Sequence, residues 1–186
     1  GPTGVGALYI RRGTRIFPLL DGGVQEGNKR AGTENLLGII GMGTAAAITR
    51  QNLDKWTAHC LSLKNQLLKE LPNYIDHYLI NTHAEHSLPN MVSMSVQFIE
   101  GESVMLMLDD EDIAVSTRSA CATGSLRASH VLISLGLSHA DAQGTLVLSF
   151  GKDNTAEEIT TFLIALKNVV TTLRDISPLY QKVSQG

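Results

Sequence analysis

Downstream of Pro72 the apolar residues keep changing their spacing, and this change of period constrains the fold more than any other feature of the chain. In "MVSMSVQF", Val92, Met94, Val96 and Phe98 fall on one face and Ser93, Ser95 and Gln97 on the other, the period of two expected of a half-buried strand. After a break at Gly101, "ESVMLMLDD" reads as a short helix and "IAVS" at residues 113–116 as a second strand. "ASHVLISLGL" reads as a helix ended by Gly136, and "TLVLSF" at residues 145–150 as a third strand. Thr155 with Glu158 forms a capping box ahead of Ile159, Phe162, Leu163, Leu166 and Val169, which recur at helical spacing. Strands alternating with helices imply an α/β architecture with helices packed on a short sheet. The final "PLYQKVSQG" reads as a tail.

The first part of the chain has another character. Eleven of the 17 glycines lie within the first 43 residues, where backbone must turn sharply or approach a ligand closely. "GALYI" at residues 6–10 reads as a strand, and "QEGNKRAGTENL" as a polar loop. From Glu34 onward Leu36 and Ile40, then Trp56, Cys60, Leu63, Leu67 and Leu71, follow steps of three and four, and Pro72 stops the run. A long helix broken near residues 52–55 is expected. Gly38, Gly41 and Gly43 each cost it roughly 1 kcal/mol relative to Ala, so close packing is expected to explain them.

Composition narrows the function. With 43% hydrophobic and 18% charged residues over 186 positions, the chain can bury a core, and no apolar run reaches the roughly 18 residues of a membrane span. A soluble protein with no membrane role is expected. A net charge of -3 with scattered lysines and arginines argues against nucleic-acid binding. Two cysteines make no disulfide framework, and no secretory signal is visible, so a cytoplasmic location is expected. The opening "GPTGVGALYIRR" reads as a chain that starts in the middle of something.

The two cysteines sit in different surroundings. Cys60 belongs to the helical stripe of Trp56, Leu63 and Leu67 and reads as a small core hydrophobe. Cys121 lies in "STRSACATGS", which has no large apolar side chain to bury it and has Arg118 and Arg127 nearby. Positive charge and a nearby helix start favour the thiolate. Local chemistry therefore leaves both a reactive thiol and an inert small residue open. A metal site is not expected, because no second cysteine or histidine lies at ligand spacing.

"GPTGVGALYIRR", "RAGTENLLGIIGMG", "VSTRSACATGSL", "SHVLISLGLSHADAQGTLVLSFGK" and "TAEEI" together resemble, in order and spacing, the C-terminal half of the NifS/IscS-like cysteine desulfurases. These are class V aminotransferase-family enzymes of PLP fold-type I. The resemblance implies the end of a large cofactor domain at residues 1–54 and a small α/β domain at residues 55–186. It implies pyridoxal 5'-phosphate (PLP) as cofactor and L-cysteine as substrate. Cys121 falls on the family's nucleophile, which takes the substrate's sulfur as a persulfide, releases alanine and passes the sulfur to an acceptor such as an iron-sulfur scaffold. Thr33 falls on the threonine that bonds the cofactor phosphate across a homodimer interface; its other reading is the N-cap of the following helix. Arg30 and Glu34 are left as candidates for interface ion pairs.

Three departures accompany the resemblance. The family's Schiff-base lysine would lie upstream of Gly1, in a missing N-terminal half, and none of the seven lysines matches its position, so the chain alone is expected to be inactive. Val147 stands where the family usually has the arginine that grips the substrate carboxylate, and losing such a pair costs on the order of 1.5 to 3 kcal/mol. Arg118 stands at a common glycine and is either a surface charge or a substitute for that arginine. The alternatives to a desulfurase are a diverged, non-catalytic sulfur-relay or dimerisation module and a selenocysteine lyase-like enzyme.

Overall fold

The structure, a computed structural model, describes residues 1–117 and 128–184. The chain divides into two compact units, Gly1–Leu53 and Asp54–Gly186.

The first unit is mostly irregular chain beside one helix. It contains α1 (Gln25–Asn28), a single turn interrupted by left-handed Glu26 and Gly27, and the first part of α2 (Leu36–Glu70). Residues 6–10 do not form the expected strand. A strand exists through pairing, and among the described residues no backbone hydrogen bond joins this segment to a neighbour. Leu8 and Tyr9 remain exposed. The helical glycines have the expected reason in two cases. A Cβ on Gly38 would lie 3.1 Å from the Val5 side chain, and one on Gly41 would lie 2.8 Å from Pro2. Among the described residues nothing lies within 4 Å of a Cβ built on Gly43.

Helix α2 runs for 35 residues and is not broken near residues 52–55. No Gly or Pro stands there, and the Asn52 side chain donates to the Ile48 carbonyl one turn back, which keeps its amide within the helix.

The second unit is built on four antiparallel strands, β1 (Tyr78–Ile80), β2 (Met91–Val96), β3 (Ser116–Thr117) and β4 (Thr145–Ser149), in the order β1-β2-β4-β3. The helices are α3 (Gly101–Asp109), α4 (His130–Ser134), α5 (His139–Gln143), α6 (Ala156–Asp175) and α7 (Pro178–Ser184). Register sets Met94 opposite Leu146 and Val92 opposite Leu148. These residues, with Val96, close one core with Leu63, Leu67 and Leu71 of α2, Val104 and Leu108 of α3, and Leu163 and Leu166 of α6. Each fully buried Leu or Val contributes about 1.5–3 kcal/mol. The mixed α/β arrangement with helices on a short sheet is the expected one.

Several boundaries differ from expectation. Strand β2 ends at Val96, and Phe98 takes φ 70° and packs against His77 and Tyr180, with ring centroids 5.5 and 5.9 Å away. The strand expected at 113–116 pairs only at Ser116–Thr117, while Ile113 and Val115 pack against the core. The expected C-terminal tail is helix α7. It is anchored by Ser177, whose hydroxyl donates to the Phe98 carbonyl at 2.7 Å, and by Tyr180, over which the Arg174 guanidinium lies 4.9 Å from the ring centroid. Arg174, itself 4% exposed, also bonds Asp76 at 2.6 Å. Among the described residues no helix is long and apolar enough to cross a membrane.

The capping box of α6 is present: Glu158 N–H donates to Thr155 Oγ1 at 3.3 Å, and Thr155 N–H donates to the Glu158 carboxylate at 3.0 Å. Replacing Thr155 by Ala should therefore lower stability by about 0.5–2 kcal/mol, and Leu163→Ala by about 2–5 kcal/mol, in urea unfolding. Equal effects below measurement error would refute this packing. The Asn154 side chain, then the Thr155 amide, hold the Glu158 carboxyl below the usual carboxylate range. Its stabilisation is full above the unfolded carboxylate value and is lost as pH falls through the lowered folded value. Glu158→Gln should flatten the acid limb of the stability curve, and an unchanged limb would contradict this.

Candidate functional site

The turn that carries Thr33 is shaped by one arginine. The guanidinium of Arg30 donates through Nη1 to the carbonyls of Ala31 at 2.9 Å, Gly32 at 2.6 Å and Thr33 at 3.5 Å. Gly32 has φ 93°, a left-handed backbone that suits glycine. Three carbonyls are thus gathered toward one cation. Of the two roles left open for Thr33, the helix cap falls to Asn35: its Oδ1 accepts from Gly38 N–H at 3.1 Å and its Nδ2 donates to the Gly4 carbonyl at 3.3 Å. Among the described residues the exposed Thr33 hydroxyl has no partner. A free hydroxyl on a turn whose carbonyls are held by a guanidinium fits one edge of a phosphate group. Arg30 makes no ion pair with Glu34 among the described residues.

In the second unit the sheet face away from the core is polar. Ser95 and Thr145 share a buried hydroxyl hydrogen bond of 2.7 Å, while Ser93 stands opposite Val147. Beside them opens a groove of about 940 Å³. Its walls include Ser93, Thr145 and Val147 of the sheet, the loop from Asn81 to Leu88, and Ala128 to Leu132 at the start of α4. Val147, the expected arginine position, therefore lines a cavity and is paired in register with Ser116 of the edge strand.

Cys121 and Arg118 lie outside the described residues. Their flanks do not: Thr117 is paired to Leu146 on β4, and Ala128 lines the groove. Cys60 is 6% exposed, and its thiol faces the Phe150 carbonyl at 3.7 Å, so it is a core residue. Among the described residues no group of three or more His, Cys, Asp or Glu is placed to hold a metal ion.

One pair of residues at this groove escaped the reading from sequence. Lys64 is buried, and its ammonium donates to Ser87 Oγ at 2.7 Å and to the Leu88 carbonyl at 3.1 Å. The signal was present, since Lys64 interrupts the buried stripe of Cys60, Leu63, Leu67 and Leu71 with a charge.

Residues 1–162 match the family model described as aminotransferase class-V, and the chain belongs to that family. Cysteine desulfurase IscS of Dictyoglomus turgidum is 42% identical over 182 residues, covering 98% of this chain and 46% of the relative. Cysteine desulfurase IscS of Methanosarcina thermophila is 42% identical over 182 residues, covering 98% of this chain and 45% of the relative. The chain thus spans about half the length of the curated relatives it matches. A solved structure described as a NifS-like protein is similar at a TM-score of 0.77 and 35% identity, over 89% of this chain and 42% of that one.

The assignment of the helix cap can be checked by amide hydrogen exchange in the first turns of α2. Asn35→Ala should destabilise that end by about 0.5–2 kcal/mol and speed exchange, while Thr33→Ala should leave it nearly unchanged. Equal acceleration in both variants would return the cap to Thr33.

Proposed function

We propose that this chain is the C-terminal portion of a PLP-dependent cysteine desulfurase that moves sulfur from L-cysteine onto Cys121. The observation that carries this reading is the similarity over nearly the whole chain to proteins named cysteine desulfurase, together with Ser-Ala-Cys at residues 119–121. The groove supports it: Ala128, on one flank of that segment, lines it, and Thr117, on the other, is paired with β4, whose Val147 lines it too.

Residues 1–54 are read as the end of a large cofactor domain and residues 55–186 as the small domain. Thr33 contributes one phosphate contact, from a turn stiffened by Arg30. When bound, PLP supplies the electron sink that loosens bonds at the substrate's Cα. None of this chain's seven lysines is read as the one that holds it. Cys121 acts as thiolate, favoured by the charges of Arg118 and Arg127. Its sulfur bonds the substrate's sulfur as the substrate C–S bond breaks, the carbon keeps the electron pair and gains a proton, and alanine leaves. The outer sulfur of the persulfide then passes to a thiolate of an acceptor protein such as an iron-sulfur scaffold, and Cys121 leaves as the thiolate. The working form is a cytoplasmic homodimer.

The test uses the full-length protein loaded with PLP. L-cysteine should yield alanine, and Cys121→Ala should lower multiple-turnover release by at least about 100-fold, the scale of losing a covalent catalyst. Alanine release at the wild-type rate in Cys121→Ala would overturn the reading.

A further inference from the structure

We infer that the groove beside Val147 receives the carboxylate of the amino-acid substrate at the Ser87 hydroxyl, backed by the buried ammonium of Lys64. The identity of the ligand rests on the desulfurase reading; the anion-binding chemistry does not.

Lys64 is 4% exposed and makes two hydrogen bonds, both to neutral oxygens. Among the described residues no carboxylate pairs with it, and residues 118–127 contain no Asp or Glu. An ammonium withdrawn from water without a counter-charge is costly, and the cost is offset where an anion arrives to complete the pair. Ser87 is the relay. Its oxygen accepts from Lys64, so its own proton is free to donate, and among the described residues it has no acceptor. Ser87 lines the groove. A hydroxyl polarised by a cation behind it is a strengthened donor to a carboxylate.

Among the described residues no Asp or Glu lines the groove to repel a carboxylate, whereas His83, His86 and His130 do line it. His83 Nδ1 accepts from the amides of Glu85 at 3.1 Å and His86 at 2.9 Å, which places its proton on Nε2 and fixes the loop that carries Ser87. Leu88, Met91, Val131, Leu135 and Val147 give the groove apolar walls. One hydroxyl with one charge behind it suits a monoanionic carboxylate rather than a phosphate, which gathers several amides or arginines. Binding shifts from an arginine on β4, absent at Val147, to the loop before β2.

The test is calorimetric titration of L-alanine, the product that retains the carboxylate, and of ethylamine, which lacks it, into the full-length PLP-loaded protein. Ser87→Ala should weaken L-alanine about tenfold, the lower end for a charge-assisted bond, and leave ethylamine within about twofold. Lys64→Met should weaken L-alanine at least as much. Since removing a buried lysine can unfold the chain, Ser87→Ala decides. Unchanged L-alanine affinity in Ser87→Ala, equal losses for both ligands, or no L-alanine binding to wild type overturns the proposal. Cysteine turnover is read separately: its absence in wild type ends the desulfurase reading while the titration still decides the carboxylate site.

Discussion

The pairing of β2 with β4 decides both what the second unit buries and what it leaves open. Because side chains alternate along each strand, the register that sets Met94 against Leu146 sends the apolar residues into one core and turns Ser93, Ser95, Thr145 and Val147 to the other face. A slip of one residue would exchange the faces and set these hydroxyls in the apolar core in place of Met94 and Leu146. The end of this pair is closed by two glycines. A Cβ on Gly101 would lie 2.6 Å from the Thr145 carbonyl, and one on Gly144 would collide with the Val96 carbonyl. Close backbone approach there lets α3 start directly beside the sheet.

On the polar face the chemistry is divided among elements that the pairing brings together. Strand β4 supplies Val147, which offers no charge, and the edge strand leads into the cysteine segment. Lys64 reaches the groove's rim from α2, through Ser87. The two cysteines separate on the same logic. Cys60 is held on the core side of α2, away from solvent, whereas Cys121 belongs to a segment of small and hydroxylic residues.

Much of the second unit was legible from periodicity, because its strands and helices bury one face each. Val92, Met94 and Val96 announced β2, and the Thr155–Glu158 box announced the start of α6 within a residue. What periodicity missed depends on partners distant in sequence. The segment at residues 6–10 has β-forming residues but, among the described residues, no backbone partner, and α7 gains its order from Phe98 and Arg174. The site was legible only in part. Similarity pointed to Thr33 and Cys121, but whether Thr33 caps the helix turned on Asn35, two residues away. Ser87 carried no signal of its own, since a serine in a polar loop is ordinary until a buried lysine is seen behind it.

Cys121 is the residue proposed to carry sulfur. The most direct measurement is peptide mapping by mass spectrometry after the full-length, PLP-loaded protein receives a single equivalent of L-cysteine labelled with a heavy sulfur isotope. The label is predicted on the peptide containing Cys121, with the Cys60 peptide unlabelled. Label on Cys60, or alanine formed with no label on Cys121, would contradict it.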